Sequence, residues 1–322
     1  MNMTLMEYNA FICYVKENIA DYLEDVDIGE IYISQVMKNN GVVLDTLNIV
    51  RKGEEHYPMI YLNGYYQQYL DTGSMEDILV HLSGLYLNNM TPDYDIPPDW
   101  PENFQSVRSQ VVFRLVNYER NKDRLKQCPY IRILDLALTY RILFNKDTLG
   151  VSTALIDQEM LKRWQLSEFD LYNLAVDNSK RLFPARLERM EDVLRSMFED
   201  VNQLNKVNPD VMEESLLSKQ SGRMLPEGME LYVLSNELKL NGASVLFYTD
   251  AASGFSKDMG CNIYILPSSI HEVLLIPENP LVDPQQLREI VRDANQKVVL
   301  KDEVLSDNIY IYRKDTEEFE IY

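Results

Sequence analysis

Apolar side chains follow a helical spacing near the start of the chain and then change to a strand pattern. Within residues 6–23 they recur three and four positions apart, which predicts an amphipathic first helix. Residues 31–50 are rich in strand-forming types on both sides of Asn40-Gly41. Because Asn-Gly accepts the positive φ angles of a mirror-image turn, we predict a β-hairpin that reverses at 39–41. The same patterns predict a strand at 58–62 and helices at 64–70 and 75–89.

A proline-rich segment follows this first group of elements. Residues 91–101 hold four of the thirteen prolines of the chain. Proline at this density disfavours regular structure and favours an extended connector. We therefore predict an N-terminal α+β lobe at 1–100, which contains the hairpin, and a C-terminal α+β lobe at 101–322.

The C-terminal lobe mixes strand-like runs with capped helical segments. Apolar residues at three-and-four spacing predict a long helix over 186–206, and the loss of that pattern predicts an irregular crossover over 207–229. Residues 242–249 fit either a helix or a strand. The predicted class is α+β, with two lobes that each pack helices on a small, mainly antiparallel sheet. The other predicted elements of this lobe are strands at 110–117, 131–144, 150–156, 231–235, 262–266, 272–276 and 308–313 and helices at 158–164, 168–179 and 284–296.

Charge narrows the range of partners. The chain of 322 residues carries 51 acidic and 31 basic side chains, a formal net charge of −20. Such a surface repels phosphate backbones and anionic lipid, so we expect no direct binding to nucleic acid and no membrane association. A neutral or basic protein partner is the favoured kind, and the sequence does not indicate the oligomeric state.

Cysteine use and the absence of targeting signals predict a cytoplasmic location. The three cysteines are widely separated, and the first residues lack the apolar run of a signal peptide. No stretch approaches the roughly 20 apolar residues that span a bilayer.

The best candidate for chemistry is the sequence PSSIHE at 267–272, which we call the PSSIHE turn. In an extended strand Ser269 and His271 would share a face, so one hypothesis is a hydrolase with Ser269 as nucleophile and His271 as base. Glu272 would point the other way, and no Gly-x-Ser-x-Gly elbow accompanies the group. The favoured alternative is a structural turn whose hydroxyls cap backbone groups while His271 ties a strand edge.

Motifs for metals and cofactors do not occur. His56, His81 and His271 are far apart in the sequence, and neither a zinc nor a calcium pattern surrounds them. Gly-rich phosphate loops are missing too, so we expect no metal and no cofactor.

Tyrosine is unusually frequent, with 21 residues against 10 phenylalanines. Tyr61, Tyr65, Tyr66 and Tyr69 cluster at one predicted strand-to-helix junction. Tyrosine combines a large ring with a wet hydroxyl and is favoured on recognition surfaces, so these four are candidate binding residues. The alternative is that their rings cover the half-buried side of a small sheet.

Several short phrases of the sequence together resemble a domain-of-unknown-function family common in clostridial and related gut Firmicutes. The resemblance extends over nearly the whole chain and implies a cytoplasmic bacterial protein with one continuous architecture. It implies no activity, cofactor or catalytic residue. The phrases are KNNG (38–41), PMIYL (58–62), LVNYERN (115–121), LDLA (134–137), LYVLSN (231–236) and LPSSIHEV (266–273).

These observations favour a non-catalytic cytoplasmic protein that binds a partner through its tyrosine-rich surface and the cleft beside the PSSIHE turn. A hydrolase that uses Ser269 and His271 is the alternative hypothesis. An acidic mimic of nucleic acid, which would need its carboxylates aligned on one face, is a weaker one.

Overall fold

A computed structural model describes residues 5–54, 57–89, 99–147, 150–196 and 230–322. The chain divides into two compact units, Met1–Asp95 and Ile96–Tyr322. Both units combine helices with antiparallel strands, which confirms the α+β class. Most of the predicted connector at 91–101 lies outside the described residues, so the position of a domain boundary stays a prediction.

The N-terminal unit is built on a three-stranded antiparallel sheet in the order β1-β2-β3, formed by Ile28–Met37, Val43–Arg51 and Met59–Tyr61. Strands β1 and β2 are the predicted hairpin. At its reversal Asn40 and Gly41 have φ angles of 58° and 71°. The Val42 N–H donates to the Asn39 carbonyl at 3.3 Å, which completes the mirror-image turn expected from Asn-Gly.

Helices α1 (Tyr8–Asn18), α2 (Asn63–Thr72) and α3 (Met75–Asn89) pack with this sheet, and a 3-10 turn at Ile19–Tyr22 extends α1. They correspond to the three predicted helices. The core of the unit lies where alternate residues of β2 meet apolar residues of the helices. Leu47 and Ile49 of β2 and Phe11 and Leu82 of the helices are fully buried members of this core. Burial of this apolar stripe, rather than helix propensity, stabilises such short helices.

The first sheet of the C-terminal unit is organised around one long strand. Strand β6 (Leu136–Asp147) pairs along one edge with β4 (Val111–Asn117). Its other edge is shared end to end by β5 (Tyr130–Ile133) and β7 (Gly150–Leu155). The strand-like run at 131–144 thus contains a tight hairpin, in which Leu134 has a φ angle of 57°. A left-handed leucine costs about 1–2 kcal/mol, so the contacts of this hairpin must hold it in place.

The second sheet of the C-terminal unit has six antiparallel strands in the order β13-β12-β10-β11-β9-β8. In chain order β8 to β13 are Ala185–Arg189, Tyr232–Asn236, Ile263–Leu266, Val273–Pro277, Tyr310–Arg313 and Glu318–Ile321. All are short, and β10 and β11 in the middle of the sheet are almost wholly buried. Strand β13 was not among the predicted elements.

The long helix predicted over 186–206 is wrong at its start. Residues Ala185–Arg189 form edge strand β8, paired residue by residue with β9, and a helix begins only at 190. The ladder of backbone hydrogen bonds to β9 overrides the helical spacing of the side chains, since tertiary context outweighs intrinsic propensity. Residues 197–206 of that prediction, and the predicted crossover at 207–229, lie outside the described residues.

The helices of the C-terminal unit are mostly short. Asp157 and Ser167 accept hydrogen bonds from backbone N–H groups at the starts of α6 (Gln158–Arg163) and α7 (Glu168–Leu182), as their cap positions predict. The ambiguous stretch at 242–249 is helical up to Tyr248, with a 3-10 turn at Gly242–Ser244 followed by α9 (Val245–Tyr248). In the described part of the chain no helix is long and apolar enough to cross a bilayer. Helices α4 to α11 are Phe104–Val107, Lys122–Leu125, Gln158–Arg163, Glu168–Leu182, the helix beginning at 190, Val245–Tyr248, Ala251–Met259 and Pro284–Lys297.

Candidate functional site

A tightly built loop at 236–244, which we call the Asn236 loop, leaves the end of β9. The Asn236 side chain accepts a hydrogen bond from Leu238 N at 3.0 Å and donates one to Leu240 O at 2.8 Å. Asn241 then adopts a left-handed conformation with a φ angle of 53°. Asparagine tolerates this conformation better than most residues, so the loop fixes Asn241 at little cost.

Gly242 lets the Asn236 loop approach the PSSIHE turn backbone to backbone. A Cβ atom at this position would lie 2.1 Å from Ser235 Oγ and 2.6 Å from the His271 carbonyl oxygen. Ser235 Oγ itself donates to that carbonyl at 2.7 Å. The loop and the turn are therefore held in one fixed arrangement that only glycine permits.

The PSSIHE turn brings its three candidate residues together in an arrangement typical of a structural turn. Ser269 is buried, and its Oγ accepts a hydrogen bond from the His271 backbone N–H at 3.0 Å. The His271 ring accepts from Asn241 N at Nδ1, over 3.3 Å, and its Nε2 lies 3.2 Å from a Glu303 carboxylate oxygen. An accepting Nδ1 assigns the ring proton to Nε2, so both ring nitrogens are occupied without Ser269.

Glu272 completes the group as a half-buried carboxyl. Burial raises the pKa of Glu272, while the neighbouring His271 and the Ser269 hydroxyl act in the opposite direction. The side chains thus stabilise one another, and the hydroxyl meets the backbone of His271 instead of its ring. This geometry favours the structural interpretation of the turn, and the catalytic one stays a hypothesis.

Replacing His271 by alanine separates the two interpretations. If the ring ties the Asn236 loop to Glu303, His271→Ala lowers the free energy of unfolding by about 1–2 kcal/mol. Urea denaturation measures the loss, with His81→Ala, an exposed histidine on α3, as the matched control. Labelling of Ser269 by a fluorophosphonate probe in the wild type but not in His271→Ala would instead support the hydrolase.

Two of the four candidate tyrosines belong to the core of the N-terminal unit. Tyr66 and Tyr69 pack against Phe11, with ring centroids 5.2 and 5.7 Å away. Their hydroxyls hold the backbone of Met6: Tyr66 donates to its carbonyl at 3.1 Å, and Tyr69 accepts from its N–H at 3.0 Å. This packing role is the alternative that the sequence left open.

Tyr61 and Tyr65 are half-buried and keep part of their rings at the surface. The Lys38 ammonium lies 4.2 Å from the Tyr61 ring centroid and donates to its hydroxyl at 2.9 Å. Tyr65 packs edge-on against His81 at 5.4 Å. These two residues remain candidates for contact with a partner, and that role is a proposal.

A cluster that the sequence analysis did not single out lies in the C-terminal unit. Arg114 of β4 and Arg141 of β6 share one face of the first sheet, because Arg141 pairs with Val112, two residues before Arg114. Both line a narrow cavity of about 20 Å³ that opens to solvent. The Asn236 loop contributes Asn241 to the lining, and other lining residues are Val112, Val151, Thr153, Phe183 and Tyr248.

The two guanidinium groups lack carboxylate partners. Arg141 Nε donates to Thr153 Oγ1 at 2.8 Å, whereas Arg114 Nε is buried with no hydrogen-bond partner among the described residues. Part of each arginine side chain is exposed, because it opens onto the cavity, so both residues are half-buried by surface area. Protein atoms nevertheless surround both guanidinium groups. Burial, and next the charge of Arg114, lower the pKa of Arg141 to about 9.

The pKa of Arg114 is lowered as well, and burial is again the largest cause. Burial and the charge of Arg124 lower the pKa of Arg114, and the charge of Asp302 partly offsets them. One further polar atom of the lining is unsatisfied, Asn241 Oδ1, which is buried and has no partner within the described ranges. The cavity therefore brings two desolvated cations together, whereas Asn241 Oδ1 is enclosed by protein atoms.

This cavity, which we call the arginine cavity, has the chemistry of an oxyanion site. Guanidinium presents its N–H groups in a planar fork that matches carboxylate and phosphate oxygens. The described residues contain no group of three or more His, Cys, Asp or Glu side chains that could hold a metal ion.

A sequence signal for this cavity does exist. Arg114 and Arg141 each stand alone within an apolar strand, VVFRLV at 111–116 and LTYRILF at 138–144. An arginine inside a strand that is buried on both faces needs a partner, which makes it a candidate binding residue. The spacing of 27 positions hides the fact that the two residues meet.

The fold and the arginine cavity define an α+β protein with a small, largely apolar cavity in its C-terminal unit that two arginines line. The chain belongs to the family of unknown function DUF5688, whose model matches residues 8–314. The near-full-length resemblance to a domain-of-unknown-function family is thereby confirmed. No match was found among curated proteins or solved structures.

Proposed function

We propose that this protein is a non-catalytic, cytoplasmic binding protein that holds a small oxyanion between Arg114 and Arg141. The observation that carries the proposal is the pair of guanidinium groups in one cavity without a salt bridge to any described residue. Like charges in a desolvated site destabilise the fold unless an opposite charge joins them. An oxyanion between the two guanidinium groups supplies that charge.

The lining supports binding rather than catalysis. Apart from the two arginines, its one titratable side chain is Tyr248, whose hydroxyl donates to the Phe183 carbonyl at 2.8 Å. Burial raises the pKa of Tyr248 well above its usual range, so this hydroxyl keeps its proton. A general base would have to be a side chain that has a pKa near neutrality and faces the bound molecule.

The Arg141→Met variant tests the proposal through stability. Without an oxyanion we expect the free energy of unfolding of this variant to exceed that of the wild type by about 1 kcal/mol, because the substitution removes one of two desolvated like charges. With an oxyanion present at about 100 times its dissociation constant, the free energy of unfolding of the wild type should rise by about 2.7 kcal/mol. That of the variant should not change. Thermal unfolding at constant ionic strength, with chloride exchanged for acetate or phosphate, measures both effects.

Arg292→Met is the matched control, since Arg292 is an exposed residue of α11. It should follow the wild type in both conditions. Equal stabilisation of Arg141→Met and the wild type by the oxyanion would contradict the proposal.

A further inference from the structure

We propose that the outer edge of β1 is an interaction surface that pairs with β1 of a second copy of this chain. The two strands run antiparallel about a two-fold axis at Ser34 and join two three-stranded sheets into one continuous sheet. The pairing rests on an open row of backbone groups, an unprotected strand edge and a self-complementary arrangement of charge. It does not depend on the arginine cavity.

Backbone groups of alternate residues point out of the sheet along β1. The Lys38 N–H donates to the Val42 carbonyl at 2.7 Å, so from Glu30 onward the even-numbered residues bond β2 and the odd-numbered ones point the other way. The Leu62 N–H donates to Asp45 O on the far side of β2, as this alternation requires. No strand of the described chain pairs with the outward groups, which belong to Ile31, Ile33, Gln35 and Met37.

The edge of β1 lacks the features that usually keep strands of different molecules apart. Natural edge strands are short, or they carry proline, charged side chains or a bulge. Strand β1 has ten residues, no proline and no charged side chain between Glu30 and Lys38, and its irregular pairing lies at one end, after Ile28. Edge strand β4 differs, because the Phe113 N–H donates to Ser179 Oγ of α7 at 3.1 Å.

Charge selects a second copy of the chain as the partner. Residues 28–38 contain one acidic and one basic side chain, Glu30 and Lys38, although the whole chain has a net charge of −20. The two lie four positions before and four positions after Ser34, on one face of the strand. An antiparallel pairing centred on Ser34 places Glu30 of each copy directly opposite Lys38 of the other. Opposite charges in such cross-strand pairs stabilise a sheet.

Both charges are available for this contact. Lys38 has extended backbone, and its ammonium contacts the neutral ring and hydroxyl of Tyr61. Glu30 is exposed. Neither side chain forms an ion pair with a described residue. A shift of the register by two residues in either direction would leave both charges without an opposite partner, so charge specifies the pairing about Ser34.

The same register satisfies the outward backbone groups. It pairs Ile31 of one copy with Met37 of the other, and Ile33 with Gln35. All four are residues whose N–H and C=O groups point away from β2, so each outward donor meets an outward acceptor of the second copy. Charge and backbone hydrogen bonding therefore favour one arrangement.

Sedimentation equilibrium of the full chain tests the pairing, at about 0.15 M salt to screen the net charge. The wild type should form dimers as its concentration rises from about 1 to 100 µM. Gln35→Pro removes one outward N–H from each copy and leaves the bonds to β2 intact, since edge strands tolerate proline there. We expect its dimer dissociation constant to rise about tenfold or more. Gln35→Ala, which loses the same side-chain bond to Asp45 but keeps the N–H, is the matched control.

Exchanging the two charges tests the register. Glu30→Lys or Lys38→Glu alone should weaken the dimer about tenfold, because like charges then face each other in both cross-strand pairs. The double variant Glu30→Lys/Lys38→Glu should restore the affinity of the wild type. Within one copy the two positions are about 27 Å apart along the strand, so this rescue requires contact between copies.

Each outcome supports or overturns the pairing. A monomer at every concentration would overturn it and leave the edge to an extended segment of another protein. A dimer that Gln35→Pro does not weaken would assign association to a different surface. Equal weakening by Gln35→Ala would assign the effect to the side chain and contradict the backbone pairing. If circular dichroism shows that Gln35→Pro is unfolded, the charge exchange decides, and failure of the double variant to restore the dimer would refute the register.

Discussion

Gly242→Ala should lower the free energy of unfolding by about 3 kcal/mol, the upper end of the usual cost of overpacking. The new Cβ would lie 2.1 Å from Ser235 Oγ, 2.6 Å from His271 O and 2.7 Å from Asn236 N. Two of these three contacts are backbone atoms, which cannot turn away as a flexible side chain can. The Asn236 loop would have to leave the PSSIHE turn, and the hydrogen bond from Asn241 to His271 would be lost. Urea denaturation followed by circular dichroism measures the change.

Gly254→Ala is the matched control for this experiment. Gly254 lies in the interior of helix α10, and a Cβ there would meet no atom within 4 Å. Alanine restricts the unfolded chain and favours the helix, so we expect a gain of about 0.5–1 kcal/mol. Similar losses in both variants would show that the region tolerates no change, and that the contact at Gly242 is not special.

Asp135→Ala should cost about 4 kcal/mol, the largest effect expected of a single side chain in this protein. The carboxylate accepts from the Tyr310 hydroxyl at 2.5 Å, the Ser306 hydroxyl at 2.6 Å and the Asn308 amide at 3.0 Å. Tyr310 and Ser306 are fully buried, so alanine would strand both hydroxyls away from water. Burial, followed by the charge of Asp135, raises the pKa of Tyr310 well above its usual range.

Two control variants accompany Asp135→Ala: one removes only the charge of Asp135, and the other removes an exposed aspartate. Asp135→Asn keeps the shape but removes the charge that strengthens each hydrogen bond, so it should fall between alanine and the wild type. Asp123→Ala breaks an exposed pair with Lys126 and should leave the unfolding midpoint unchanged. If Asp135→Ala left the unfolding midpoint unchanged, as we expect of Asp123→Ala, the hydrogen bonds around Tyr310 would not be what holds the strained hairpin at Leu134 in place.

Elements whose determinants are local could be predicted from the sequence. The hairpin of the N-terminal unit depends on Asn40-Gly41, and two adjacent residues carry that signal. Helices α6 and α7 are capped by Asp157 and Ser167, whose side chains accept hydrogen bonds from the first turn of the helix that follows. In each case the information lies within four residues of the structure that it specifies.

Elements determined by distant partners could not be predicted. Residues 185–189 carry helical spacing and yet form an edge strand, because β9, more than 40 positions along the chain, supplies their hydrogen bonds. Helix α10 has nine residues and strand β13 has four, so each offers only a short window of sequence. Their type follows from packing, which no local window contains.

The candidate site shows the same division. The sequence indicated the PSSIHE turn because its polar residues are adjacent, and the structure brings Ser269, His271 and Glu272 together there. The arginine cavity remained hidden, because it depends on the register of β4 against β6 and on a loop more than 90 residues later. What links the two is Asn241, whose backbone N–H donates to His271 and which is also one of the residues that line the cavity.

A crystal structure of the protein grown with acetate is the most direct test of the oxyanion site. We predict density for one acetate between Arg114 and Arg141, with its carboxylate oxygens within hydrogen-bond distance of both guanidinium groups. The two arginines should keep the positions that they have without ligand. An empty or water-filled cavity at saturating acetate, with Arg114 turned to form a salt bridge with Asp302, would contradict the account.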